Sequence, residues 1–108
     1  MNKIVINVCY GGFSLSRKAC QVLADQGVEC AAVALDLCKD EGFFHYRPEV
    51  ARHDPRLVKV VEDMGERANG SCADLRVIDL GETRAYRIHE YDGKERFEVG
   101  GDDWTFIP

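Results

Sequence analysis

Apolar positions change rhythm along this chain, and each rhythm predicts a different element. Residues 3 to 9 (Lys3-Ile4-Val5-Ile6-Asn7-Val8-Cys9) are β-branched and almost continuously apolar. That is the pattern of a strand buried on both faces and central in a sheet. Tyr10-Gly11-Gly12-Phe13 punctuates the run. Ser14, with Ser16 as its rival, then caps a helix that reaches about Gln26. Leu15, Ala19, Val22 and Leu23 share one helical face, Cys20 lies beside them, and Gly27 suits the stop.

Beyond Gly27 the rhythm is ambiguous. Val28 to Leu37 reads as a second strand completing a βαβ unit, although its alanines also suit a short helix. Gly42-Phe43-Phe44-His45-Tyr46 is an aromatic cluster of no readable form. The pattern sharpens again at His53-Asp54-Pro55. Asp54 can cap a second helix, and Pro55 takes the first helical position, where its missing N–H costs nothing. Leu57, Val61, Met64 and Ala68, spaced i, i+4, i+7 and i+11, form the buried face. Gly65 weakens the pattern and Asn69-Gly70 ends it.

Alternation of period two returns at the C-terminal end. Leu75 to Leu80 reads as a strand. Tyr86 to Tyr91 and Lys94 to Val99 form a hairpin joined by Asp92-Gly93 in a type I′ turn. That turn sets Ile88 opposite Phe97, Tyr86 opposite Val99 and Arg87 opposite Glu98, so apolar pairs share one side. Glu90 opposite Glu95 is a local cost that solvation would relieve. The expected architecture is α/β of the α+β kind: a small mixed sheet of about four to five strands, two main helices and a C-terminal β-hairpin.

Composition narrows the function. The 108 residues, 45% hydrophobic and 31% charged, make one soluble domain spanning 1–108, able to bury roughly two-thirds of its unfolded surface. Net charge is −5, the wrong sign for a general binder of DNA or RNA. A small anion can still bind locally, because salt screens distant charge beyond about 8 Å. The five cysteines are odd in number and lack C-x-x-C spacing, which fits free thiols in a reducing cytosol better than disulfides or zinc. The first apolar run is too short for a signal segment or a membrane span.

The strand-glycine-glycine-helix passage, Tyr10-Gly11-Gly12-Phe13-Ser14, is the first candidate site. Glycines admit a ligand to the backbone, N–H groups at a helix start favour an anion, and Tyr10 and Phe13 could flank a base. The spacing is neither G-x-G-x-x-G nor a P-loop. Taken alone, these residues are better read as a tight turn with aromatics in the core. Arg52 offers a fork of donors for phosphate, His53 could titrate or stack, and Asn69 could read a base edge, although surface, cap and turn roles account for this trio as well. A thiol hydrolase with Cys9 as nucleophile, His53 as base and Asp54 as orienter would need unusual geometry, since two of the three are adjacent. Metal binding by His45, His53 or His89 lacks a helical i, i+4 pair. Trp104, the single tryptophan, sits behind Gly101-Asp102-Asp103 in a tail that would pack it on the domain or on a partner subunit.

Several of these segments also resemble a widespread family of small phage and prophage proteins. The likeness runs through Val5-Ile6-Asn7-Val8-Cys9-Tyr10-Gly11-Gly12-Phe13-Ser14-Leu15-Ser16 and through Arg52-His53-Asp54-Pro55-Arg56-Leu57-Val58-Lys59-Val60-Val61-Glu62-Asp63-Met64-Gly65. Ala68-Asn69-Gly70, Ala73-Asp74-Leu75-Arg76-Val77 and Glu90-Tyr91-Asp92-Gly93 follow in order, so that a little over half of the chain is covered. The family is similar to the first-described Thoeris anti-defence proteins, phage sponges that sequester a cyclic ADP-ribose isomer. The turn Leu80-Gly81-Glu82-Thr83-Arg84 and the acidic tail depart from it, since members carry a basic tail. The resemblance implies a cytoplasmic, non-enzymatic binding protein that holds a nucleotide-derived immune signal, a cyclic ADP-ribose isomer or a cyclic oligonucleotide. It implies a dimer or hexamer, with no cofactor, no metal, no membrane and no DNA or RNA partner. Its ligand-binding residues would be Tyr10, Gly11, Gly12, Phe13, Ser14, Arg17, Arg52, His53 and Asn69. The alternatives are a nucleotide-processing enzyme using Cys9 or His53, and an inhibitor that docks a host protein through its aromatic cluster.

Overall fold

Strand β1 (Lys3–Asn7) separates two apolar clusters in the computed structural model, which describes residues 2–37, 46–71, 73–100 and 104–108. Ile4 and Ile6 point one way, into a cluster with Leu80, Tyr86 and Ile107. Val5 points the other way, into a cluster with Phe13, Leu15, Leu23, Leu57 and Val61. This period-two division makes β1 buried on both faces, as its composition requires. Its one sheet neighbour among the described residues is β2 (Leu75–Asp79), antiparallel, with Val5 opposite Val77, so β1 is an edge strand and not the central strand its composition suggested.

The hairpin β3 (Ala85–Tyr91) and β4 (Lys94–Val99) follows, and β5 (Thr105–Phe106) joins the far side of β3. The class is α+β, and the strand count and hairpin are as expected. The five strands among the described residues form two antiparallel sheets, β1-β2 and β4-β3-β5, instead of one mixed sheet. The hairpin register agrees with the sequence pairing at each position: Ile88 faces Phe97, Tyr86 faces Val99 and Arg87 faces Glu98. Asp92 and Gly93 have φ of 52° and 89°, the two positive values a type I′ turn needs.

Helix α1 (Arg17–Asp25) starts later than Ser14 because residues 14 to 16 are held extended. The Leu15 amide donates to Tyr46 O at 2.8 Å, and the Gly70 amide donates to Ser14 O at 3.0 Å. Ser16, the rival cap, therefore does the capping and accepts from the Ala19 amide at 3.2 Å. At the other end the Val28 amide bonds Leu23 O and the Gly27 amide bonds Ala24 O, both at 3.0 Å. This is a Schellman stop with Gly27 at φ 91°.

The stop reverses the chain directly into α2 (Glu29–Leu37), so the expected second strand and its βαβ unit do not form. Helical propensity of Ala31, Ala32, Ala34 and Leu35 prevails there, and α2 packs antiparallel-hairpin fashion on α1 through Ala31 and Cys20, both fully buried. Helix α3 (Pro55–Met64) begins as anticipated, with Asp54 Oδ1 accepting from the Arg56 amide at 2.9 Å. Gly65, at φ 57°, ends the α-helix instead of merely weakening it, and a 3₁₀ turn carries residues 65–68 to Ala68. Of the aromatic cluster only Tyr46 lies within the described residues; it is buried, and its hydroxyl meets Cys30 Sγ at 2.8 Å. Trp104 packs on the domain beneath Arg87, whose guanidinium carbon is 4.4 Å from the ring centre. No helix among the described residues is long and apolar enough to cross a membrane.

Candidate functional site

The glycine pair after β1 is approached by the protein's own hairpin turn. The Gly11 amide donates to Asp92 O at 3.2 Å. A Cβ placed on Gly93 would lie 2.2 Å from Gly12 N and 2.7 Å from Gly11 N, so only glycine fits there. Asn7, fully buried, ties the junction together. Its Nδ2 donates to Cys9 O at 2.7 Å and to Gly93 O at 2.8 Å, and its Oδ1 accepts from the Asp74 amide at 2.8 Å. One side chain thus joins β1, the loop, the hairpin turn and the approach to β2.

Arg52 closes the same junction. Its two terminal nitrogens donate to Glu95 at 2.5 and 2.7 Å, and one also donates to Val5 O at 3.2 Å. Its guanidinium lies 3.9 Å above the Phe13 ring. Glu95 is 6% exposed and also accepts from the Asn7 amide at 2.8 Å. The Glu90–Glu95 pairing is thus relieved by an internal ion pair, and not by solvation of Glu95. Glu90 bends to accept the Gly93 amide at 3.0 Å. Val5 and Asn7 turn the edge of β1 away from β2, and that edge is met by Arg52 O at 3.0 Å and by Glu95. An ion pair here occupies the place of a third strand and satisfies the Asn7 amide and the Val5 carbonyl, edge groups that would otherwise be buried without partners.

The remaining sequence candidates scatter. Phe13 and Ser14 are buried, and Ser14 Oγ donates to Ser71 O at 3.3 Å. Arg17 is the first residue of α1. His53 Nδ1 meets the Tyr86 hydroxyl at 2.8 Å, a phenol whose pKa burial raises. Asn69 Oδ1 accepts from the Leu75 amide at 2.9 Å, fastening the end of the 3₁₀ turn to β2. Asp54 binds Arg56 through both oxygens, at 2.9 and 3.1 Å, so it does not orient His53. Of the nine expected ligand contacts, Tyr10, Gly11, Gly12, Phe13 and Arg52 come together at the junction. Arg52 borders one surface cavity with Arg87 and Trp104, and His53 another with Pro55 and Lys59, but only Tyr10 lines the cavity at the hairpin tip.

That cavity, about 390 Å³, lies between the Tyr10 loop and the tip of the hairpin. Tyr10 and Tyr91 are 55% and 79% exposed. Lys94 Nζ sits 5.3 Å from the Tyr10 ring centre, and Arg96 and His89 line the wall beyond it. Neither Lys94 nor Arg96 makes an ion pair among the described residues, whereas His89 Nε2 and Arg87 both reach Glu98. Burial works against the Glu98 charge, but His89 and Arg87 outweigh it and hold the carboxyl below its ordinary range. Two exposed phenol rings beside two uncommitted cations can stack on a planar group and grip an anion attached to it. Tyr91, Lys94, Arg96 and His89 were absent from the sequence reading of the site. The hairpin register was the available signal: it already set Tyr91 against Lys94 and His89 against Arg96, on the face that does not bear Ile88 and Phe97.

Elsewhere, burial pushes the Cys20 thiol up to about 11, and burial with the Cys30 contact raises the Tyr46 phenol far above its usual range. Both belong to the helical core. No group of three or more metal-ligating side chains is found among the described residues. Compared with protein-family models, with curated proteins and with solved structures, the chain finds no match.

Proposed function

We propose that this chain binds a nucleotide-derived small molecule in the cleft between Tyr10 and the hairpin tip, and holds it without turnover. The observation that carries the reading is the pairing of two exposed tyrosines with two uncommitted cations in a cavity of about 390 Å³. That volume falls in the ordinary range for small-ligand sites, about 300–1,000 Å³. The resemblance of residues 5–16 and 52–65 to the Thoeris sponges supports a cyclic ADP-ribose isomer as the ligand class and the host cytosol as the setting.

Energetics bear on how tight such a complex can be. Base stacking on an aromatic contributes about 1–3 kcal/mol, and a charge-assisted hydrogen bond about 1.5–3 kcal/mol. Two of each fall short of the roughly 12 kcal/mol that nanomolar affinity takes once association costs of about 4–15 kcal/mol are deducted. A sponge therefore needs a second wall, and a homo-oligomer in which another copy covers the cleft would supply it.

Calorimetry against cyclic ADP-ribose isomers, ADP-ribose, AMP and inorganic phosphate tests the reading, with mass analysis of what heat-denatured protein releases. Binding of an adenine-bearing phosphate, recovered intact, is expected. Recovery of a cleaved product would make the protein an enzyme, and silence across the whole panel would remove the cleft as a nucleotide site.

A further inference from the structure

The cleft is one end of a longer surface. Alternation along β3 and β4 puts Arg87, His89 and Tyr91 on the same face as Lys94, Arg96 and Glu98. The Arg87–Glu98 and His89–Glu98 contacts agree with that placement. The opposite face carries Tyr86, Ile88 and Phe97 into the apolar cluster with Ile4 and Ile6. Pairing of Thr105 with Tyr86 sets Trp104 beside Arg87, and the two stack at 4.4 Å. The outward face thus runs from Tyr91 and Lys94, through His89 and Arg96, to Arg87 and Trp104. Two steps of two residues span roughly 14 Å at about 3.4 Å per residue.

Charge on this face is opposite to that of the whole chain. By strand position Arg87, Lys94 and Arg96 share this face with Glu98, and Glu90 lines the cavity at its tip, so three permanent cations stand against two carboxylates, while the full sequence has a net charge of −5. Because screening confines each charge to about 8 Å at physiological salt, a partner resting on the hairpin meets the local sign. Aromatic rings at both ends with cations between them are the elements of a single-strand platform, where bases stack and the backbone follows the positive groups. A groove for duplex would need a protruding helix or ribbon instead.

We propose that the outward face of the hairpin is a track for a short single-stranded oligonucleotide, with one base on Tyr91, another on the Arg87 guanidinium that is stacked on Trp104, and the intervening phosphates on Lys94 and Arg96. The track rests on the reading of the cleft as a seat for a base and its phosphate, and extends that seat along the sheet.

Fluorescence anisotropy with labelled hexathymidylate, alongside calorimetry with thymidine monophosphate, tests it at 50 to 200 mM salt (on the order of the range over which counterion release is measured). The hexamer is expected to bind at least about tenfold tighter than the monophosphate, with a log–log salt slope of about −1.4 for two contacted phosphates. Trp104→Ala should weaken the hexamer about tenfold and leave the monophosphate unchanged, and Trp104→Phe should restore most of the loss. Thermal melting identifies any variant whose fold has failed, in which case Arg87→Gln serves in its place. Equal affinity for hexamer and monophosphate, indifferent to Trp104, would overturn the track and leave the cleft standing. Absence of binding by both, together with silence toward the adenine panel, would overturn the cleft and the track together.

Discussion

Arg52 and Arg96 lie on opposite sides of the same hairpin and have opposite fates. Arg52 is turned inward, with its fork on Glu95 and its plane on Phe13. Arg96 is turned outward and makes no ion pair among the described residues. Their side-chain chemistry is identical, so what separates them is the parity of the strand position each meets. Glu95 sits on the β4 face that points to the edge of β1, and it is that carboxylate which draws Arg52 in. The comparison teaches that a cation beside a glycine loop does not by itself indicate an anion site. The carboxylate that answers it can come from 43 residues away.

The two regions should respond differently to substitution. Glu95→Ala should have the largest effect, about 3–5 kcal/mol of lost stability, because it leaves Arg52 charged and unpaired in a closed junction. Chemical denaturation would measure it. If Arg52→Met with Glu95→Leu recovers most of that loss, the pair confers specificity more than stability. A second prediction concerns Asn7→Ala, which strands the Asp74 amide and the Gly93 carbonyl and should cost about 1–3 kcal/mol. Gly93→Ala should cost a similar amount, because its methyl would meet the Gly12 amide and its φ of 89° strains any side chain.

Asp54 gives a smaller and pH-dependent effect. Hydrogen bonds from Arg56 hold its carboxyl below the ordinary 3.8. A carboxyl lowered on folding stabilises fully above its unfolded value, and the contribution vanishes as pH falls through the lowered folded value. Asp54→Ala should therefore cost about 1 kcal/mol of capping energy at neutral pH, and melts of the variant and the parent should converge as pH drops below 3.8. The smallest effect on stability belongs to the open region. Lys94→Ala and Arg96→Ala should each leave stability within about 0.5 kcal/mol while weakening a phosphate-bearing ligand about tenfold, as loss of one charge-assisted contact implies. A melt shift as large as that of Glu95→Ala would show that the outward cations are structural after all.

Local chemistry was legible wherever a few neighbouring residues decide the outcome. The I′ turn at Asp92-Gly93, the hairpin register, the Asp54-Pro55 helix start and the Gly27 stop all follow from backbone preferences that act over a handful of positions. The double burial of β1 was legible for the same reason, since continuous β-branched residues suit no half-exposed strand. Val28 to Leu37 was not, because alanines and β-branched residues mix there without a clear period. The site was less legible than the fold. Tyr10 was found, but its companions Tyr91, Lys94 and Arg96 had been assigned only to a hairpin.

Local preferences along the chain thus settled β1 and β2, two of the three helices among the described residues, and the turn and pairing of the C-terminal hairpin. Only the tertiary structure decided that Glu95 and Arg52 would cover the edge of β1, that the hairpin turn would press against Gly11 and Gly12, and that the free cations would be left outside. The physical reason is range. Turn and cap preferences operate between neighbours, whereas a buried charge selects its partner across the whole fold, and nothing near Arg52 in the chain announces Glu95.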